Sequence, residues 1–164
     1  MSSKGAPPSQ PGKGGPHIVN ITKNRRALFD YFVESKIECG IELYGTEVKS
    51  LRSGHAQLSD SYAVGQRGEL VLMNASIEPY GPAGQISNHA SKRTRKLLLH
   101  RREIDKLLDA QQRDGYALVP LSLYFKDGRA KLELGLCKGK QNVDKRETIA
   151  KRDATREMAR ERKK

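Results

Sequence analysis

The run ALVPLSLYFKDGRAKLELGLC, residues 117–137, constrains the fold more than any other part of the chain. Apolar and polar positions alternate on both sides of Asp127-Gly128. Such a dipeptide between alternating runs is a strong hairpin signal, because a two-residue type I′ turn needs positive φ at both centres. A long antiparallel hairpin is expected, and other segments read as strands to pair with it. IECGIEL puts Ile37, Cys39, Ile41 and Leu43 on one face and Glu38, Gly40 and Glu42 on the other. SYAVGQRGELVLMNASI reads as two strands joined around Arg67 and Gly68, and RKLLLH as another.

Three short helices are expected between the strands. The first starts at an Asn24 N-cap, with Leu28, Phe29, Phe32 and Val33 as its apolar stripe. The second, in GTEVKSLRSG, buries Val48 and Leu51 and turns Lys49 and Arg52 to solvent. The third, in REIDKLLDAQQRDG, carries Ile104, Leu107, Leu108 and Gln111 and stops at Gly115. YGPAGQISNHASKRTR lacks periodicity and reads as a long loop. The whole is a mainly β chain with a small antiparallel barrel over residues 18–140. Residues 1–17, rich in Pro and Gly, are expected to be disordered. Residues 141–164 form a basic tail.

Charge indicates the partner. Thirty-one Lys and Arg against nineteen Asp and Glu leave +12, which favours a polyanion. An anionic membrane surface is the rival, but no run approaches the roughly 18 apolar residues of a span, and the N-terminus lacks a signal-peptide core. The chain therefore reads as cytoplasmic. Half of the excess lies between Lys138 and Lys164, with eleven basic and five acidic side chains. Drawn as a helix, residues 147–162 would line up only Ala150, Ala154 and Met158, too thin a strip to anchor it. The tail is expected to lack structure alone and to fold on a partner. Two further clusters, KNRR (Lys23, Asn24, Arg25, Arg26) and SKRTRK (ending in Arg95 and Lys96), converge cations where several could meet one phosphate backbone. With three Phe, six Tyr and no Trp, the chain is poor in stacking rings, which favours recognition of a folded RNA by shape.

Nothing points to catalysis or to a metal. There is no GxxxxGK[ST] loop or GxSxG elbow. Cys39 and Cys137 are 98 residues apart without CxxC spacing, and the four histidines lack metal-ligand spacing. No cofactor is expected.

GTEVKSLRSGHAQLSDSY (45–62), RKLLLHRREID (95–105), LVPLSLYFKDGRAKLELGLCKGK (118–140) and DKR (144–146) occur in the order found in the SsrA-binding protein family, also called small protein B. The resemblance runs from about Ile18 into the tail. It implies an oligonucleotide-binding (OB-like) barrel without enzymatic activity. It further implies a monomeric adaptor that binds the tRNA-like domain of transfer-messenger RNA (SsrA RNA) and delivers it to stalled ribosomes in trans-translation. Elongation factor Tu and alanyl-tRNA synthetase would then be partners through the RNA. By motif, Asn24, Glu38, Leu98 and His100 resemble the family's RNA contacts. Asn24 reads equally as a helix cap, Glu38 as an acceptor or an arginine holder, and Leu98 as core. His100 could stack or donate a hydrogen bond. Arg25, Arg26, Lys49, Arg52, Arg95, Lys96, Lys138 and Lys140 are the cations expected to join them on RNA. Asp144, Lys145 and Arg146 resemble the decoding-centre segment. Just before them Val143 stands where a stacking His or Tyr is frequent, so ring stacking there is in doubt. Ile149, Lys151, Arg152, Arg156 and Arg160 are expected to follow as a helix in the empty mRNA channel. The alternative reading is a general RNA-binding or ribosome-associated OB-fold protein without specificity for transfer-messenger RNA.

Overall fold

A computed structural model describes residues 15–84 and 89–162, apart from the side chains of 142 and 143. In chain order the elements are β1 (Ile18–Lys23), α1 (Arg25–Asp30), β2 (Tyr31–Ile41), α2 (Gly45–Arg52), β3 (Ala56–Gln57), β4 (Tyr62–Gln66), β5 (Glu69–Met73) and β6 (Ser76–Ile77). A 3-10 turn (Gly81–Ala83) follows, then β7 (Arg95–Leu98), α3 (Arg101–Arg113), β8 (Ala117–Lys126), β9 (Arg129–Gly139) and α4 (Asn142–Glu161).

The expected hairpin is the backbone of the fold. β8 and β9 pair antiparallel along their length, and Asp127 (φ 49°) and Gly128 (φ 79°) both take the left-handed conformation a type I′ turn requires. Strands then close in the order β8-β4-β5-β7-β2-β9, and β9 returns to β8. β1 adds to the free half of β8, opposite residues 122–126. All these pairings are antiparallel, so the chain is mainly β as expected, with four α-helices among the described residues rather than about three. Alternation supplies the interior, with Cys39, Leu70, Leu72, Leu97, Leu118, Leu132 and Leu134 each at most 2% exposed.

One expectation needs correction. The first helix ends at Asp30, and Phe32 and Val33 lie in β2, opposite Lys138 and Cys137. Those β-favouring residues gain a ladder partner by extending, which a lone helical turn cannot match. Only Ala27 of α1 is buried, and Leu28 and Phe32 remain 56% and 49% exposed. In the tail, Asn142–Glu161 form the 20-residue α4, whose described side chains beyond Thr148 are all exposed.

The ring has two thin seams, the single pair of β4 with β8 (Ala63 with Leu118) and the short strand β7. β7 shares two residue pairs with β2 (Gly40 with Leu98, Ile41 with Leu97) and two with β5 (Val71 with Lys96, Leu72 with Arg95). An interior ion pair reinforces it. Arg95, 1% exposed, donates from Nε and Nη2 to Glu47 Oε1 at 3.0 and 2.7 Å, and to the carbonyls of Ala75, Ser91 and Arg93. Arg93 adds bonds of 2.8 and 2.6 Å to the same carboxylate, which also accepts from the Tyr44 N–H that starts α2. Burial alone would raise the Glu47 carboxyl, but the hydrogen bonds from Arg93 and Arg95 hold it below the ordinary range.

Removing one partner of this pair leaves a buried charge uncompensated. Glu47→Gln and Arg95→Met should each lower stability in urea unfolding by about 3–5 kcal/mol. The gap between wild type and Glu47→Gln should be full above the ordinary carboxylate pKa and shrink as pH falls through the depressed value.

Candidate nucleic-acid interface

Alternation that buries the apolar half of β1, β8, β9 and β2 turns the other half outward as one face. Cross-strand partners share a face, so the register assembles it: Glu38 opposite Glu133, Gly40 opposite Lys131, Ser122 opposite Glu133, Tyr124 opposite Lys131 and Asn20 opposite Tyr124. Its carboxylates are held in place. Glu38 accepts from the Tyr124 hydroxyl at 2.5 Å and from Lys126 Nζ at 3.1 Å. Those bonds, Tyr124 first and then Lys126, lower the Glu38 pKa, while burial and the hydrogen bond to Glu38 raise that of Tyr124. Glu133 takes Lys36 at 3.6 Å and the Ser122 hydroxyl at 3.3 Å. Lys23, Arg25 and Lys131 have no ion pair among the described residues. Lys23 and Arg25 border a groove that includes Lys36, Tyr124 and Glu133, and Lys131 borders the adjoining depression.

That depression is where the sequence-derived contacts meet. Glu38, Leu98, His100 and Lys131 line it together with Gly40 and Glu103. Leu98 is 50% exposed and lies across Gly40, where an added Cβ would come within 3.1 Å of the leucine Cβ. Glycine thus lets the leucine sit flat on the sheet. His100 is exposed at the N-cap of α3, its backbone N–H donating to Glu103 Oε2 at 3.1 Å. Acceptor, apolar surface and imidazole share a shallow open site, suited to an unstacked base edge or ribose rather than to a small enclosed ligand.

Asn24 is elsewhere. It is 4% exposed, its Oδ1 accepts from Ala27 N, and its two Nδ2 hydrogens go to the carbonyls of Leu58 and Pro120. Of its two readings the structure supports the cap, which fixes α1 so that neighbouring Arg25 borders the groove. Arg95 is corrected outright: all five of its N–H groups are spent inside the protein, leaving nothing for RNA.

The remaining cations sort by partner. Arg26 is shared between Asp30 and Asp60, and Lys96 is paired with Glu69 at 2.6 Å. Lys49 stands 5.6 Å from the Tyr80 ring, and Arg52 borders a separate groove beside Val19 and Phe125. Lys138 is exposed over Tyr116, whereas Lys140 bonds Leu28 O and Thr148 and is only half exposed. Lys36, Lys126 and Lys131 were not singled out from the sequence. The signal was available, since each sits at an outward position of an alternating strand.

In α4, Asp144 accepts from Gln141 N–H and Lys145 pairs with Asp30 at 3.4 Å. Residues 145, 149, 152, 156 and 160 recur at helical spacing, so Lys145, Arg152, Arg156 and Arg160 form a basic face around Ile149. Glu147, Ala150, Ala154 and Met158 fall on the opposite side, and Arg146 and Lys151 are exposed between. The Val143 side chain lies outside the described residues. Both thiols are buried, and burial pushes Cys39 up to about 12 and Cys137 up to about 11, far from a thiolate nucleophile at neutral pH. Among the described residues no group of His, Cys, Asp and Glu is arranged to hold a metal.

Comparison with known proteins agrees with this picture. The family model described as "SmpB protein" matches residues 21–164. The SsrA-binding protein of Caulobacter vibrioides is 58% identical over 141 residues, covering 85% of this chain and 92% of that protein. The SsrA-binding protein of Geobacter sulfurreducens is 52% identical over 139 residues, covering 85% and 90%. A solved chain described as "tmRNA-SmpB: a journey to the center of the bacterial ribosome" is similar at 44% identity and TM-score 0.63, over 78% of this chain and 93% of that one.

Unpaired cations should act on RNA as phosphate contacts, and paired ones much less. Arg25→Ala and Lys131→Ala should each reduce the slope of log affinity against log salt by about 1, measured by fluorescence anisotropy on a folded RNA. Arg26→Ala and Lys96→Ala should leave that slope nearly unchanged.

Proposed function

This chain belongs to the SmpB protein family, and we propose that it is an RNA-binding adaptor of trans-translation, carrying the tRNA-like domain of transfer-messenger RNA to stalled ribosomes. The observation that carries the RNA half is the outer sheet face, where Glu38, Leu98 and His100 meet beside unpaired Arg25 and Lys131. Such a face reads a folded RNA through backbone geometry, ribose hydroxyls and a few base edges, without a stack of rings. Tyr124 and Lys126 keep Glu38 ionised and aimed, so it accepts from base amino groups or 2′-hydroxyls while neighbouring lysines neutralise phosphate.

The tail supplies the ribosome half. A basic face on an otherwise unsupported helix is suited to a groove walled by ribosomal RNA, which screens the repulsion among its arginines. Asp144, Lys145 and Arg146 would lie at the decoding centre, with Ile149, Lys151, Arg152, Arg156 and Arg160 along a channel that is vacant only when mRNA has run out. With Val143 preceding them, this protein would enter without a ring to stack at that step. The adaptor is non-catalytic, acts as a monomer in the cytoplasm, and reaches elongation factor Tu and alanyl-tRNA synthetase through the RNA. No described helix is long and apolar enough to cross a membrane.

The two halves separate experimentally. Leu98→Ala combined with His100→Ala should cost about 1–3 kcal/mol of affinity for the tRNA-like fragment and reduce peptide tagging with it. Deletion of residues 147–164 should leave that affinity intact and abolish tagging on stalled ribosomes. A truncation that weakens RNA binding as much as the face variant would contradict the assignment.

A further inference from the structure

The connection between barrel and tail contains a device that the charge pattern does not suggest. A helix as short as α1 ends with carbonyls that lack helical partners. The Tyr31 N–H satisfies Ala27 O, but two others are met from the far end of the chain by one residue. Lys140 donates its backbone N–H to Asp30 O at 2.9 Å and its Nζ to Leu28 O at 3.1 Å. A cation at a helix C-terminus is also favoured by the helix dipole. The same ammonium bonds Thr148 Oγ1 at 3.0 Å and stands 4.9 Å from the centre of the Phe32 ring. Thr148 Oγ1 donates to Asp144 O within α4, and Lys145 reaches the Asp30 carboxylate at 3.4 Å. Beyond Thr148 every described side chain of α4 is exposed.

We propose that Lys140 and Asp30 are positioning residues forming a two-point clasp, which fixes the direction in which the tail leaves the barrel. One point is the ammonium between Leu28 O and Thr148, and the other is the Asp30–Lys145 pair. The first two turns of α4 are thereby seated on α1, and the rest of the helix projects as a rigid arm. Because α1 carries Arg25 at its other end, beside the outer sheet face, the clasp gives the arm a defined bearing relative to bound RNA. This last consequence rests on the adaptor reading above, whereas the clasp itself does not. It also gives the second lysine of KGK a role other than phosphate binding: its donors are aimed inward.

The test uses the full chain without RNA. Asp109→Cys on α3 and Asp153→Cys on α4 place spin labels at exposed positions, while Cys39 and Cys137, 2% and 0% exposed, stay unlabelled. The double-label distance distribution should be narrow in the otherwise unaltered protein and broaden with Lys140→Met, with Lys145→Gln and with Asp30→Asn. Lys140→Arg, which keeps charge and donors, should restore the narrow distribution. Asp30→Asn combined with Lys145→Gln should broaden it no more than either change alone, as expected for partners in one contact. Lys145→Gln leaves the capping of α1 untouched, so it serves if Lys140→Met unfolds. A distribution already broad before these changes, or one that stays narrow in Lys145→Gln and Asp30→Asn, would overturn the proposal. So would Lys140→Met that leaves the distance alone while weakening affinity for the tRNA-like fragment, since Lys140 would then be a phosphate contact. Failure of the adaptor reading would appear separately, as no preference of the unaltered protein for the folded fragment.

Discussion

Barrel closure runs through β7, a four-residue strand with only two residue pairs on either side, and the buried Glu47–Arg95 pair makes that seam hold. One carboxylate starts α2, bonds the side chain of Arg93 and anchors Arg95 on the strand. Arg95 in turn bonds the carbonyls of Ala75 and Ser91, tying the segment after β5 and the approach to β7 together. A buried pair of this kind contributes little net stability compared with an apolar replacement, but loss of either half is costly. What the geometry does is tie the start of α2 to β7. Leu98 ends β7 and His100 follows two residues later, so the depression on the outer face is only as well defined as that strand.

Electrostatics then divides the cations by what each faces. Arg95 and Lys140 turn inward, Arg26 and Lys96 are neutralised by carboxylates, and Lys23, Arg25 and Lys131 remain for phosphate. Net charge therefore overstates the RNA-binding charge of the barrel. The tail is different, because past Thr148 its described basic side chains are exposed. That surplus makes the helix costly to hold in isolation and favourable against a wall of phosphate.

How much was legible follows from how local each signal is. The β8–β9 hairpin and the β4–β5 turn are written in a few adjacent residues, and both are present. Asn24 could be read as a cap from its neighbours, but its burial depends on Leu58 and Pro120, 34 and 96 residues away. Phe32 and Val33 satisfy both a helical and a strand period, and only the presence of β9 opposite them decides. In SKRTRK, composition suggests a basic patch, whereas alternation puts Arg95 on the same face as Leu97, and both are 1% exposed. Glu38, Leu98 and His100 were found through resemblance to a family. The lysines surrounding them required the register of four strands.

Recognition of a folded RNA by this sheet face can be decided by competition at near-physiological salt between the tRNA-like fragment of transfer-messenger RNA and an unstructured RNA of equal length. A clear preference for the folded fragment, lost in the Leu98→Ala, His100→Ala variant, is the expected result. Equal affinity for the two RNAs would contradict it, leaving charge alone as the source of binding.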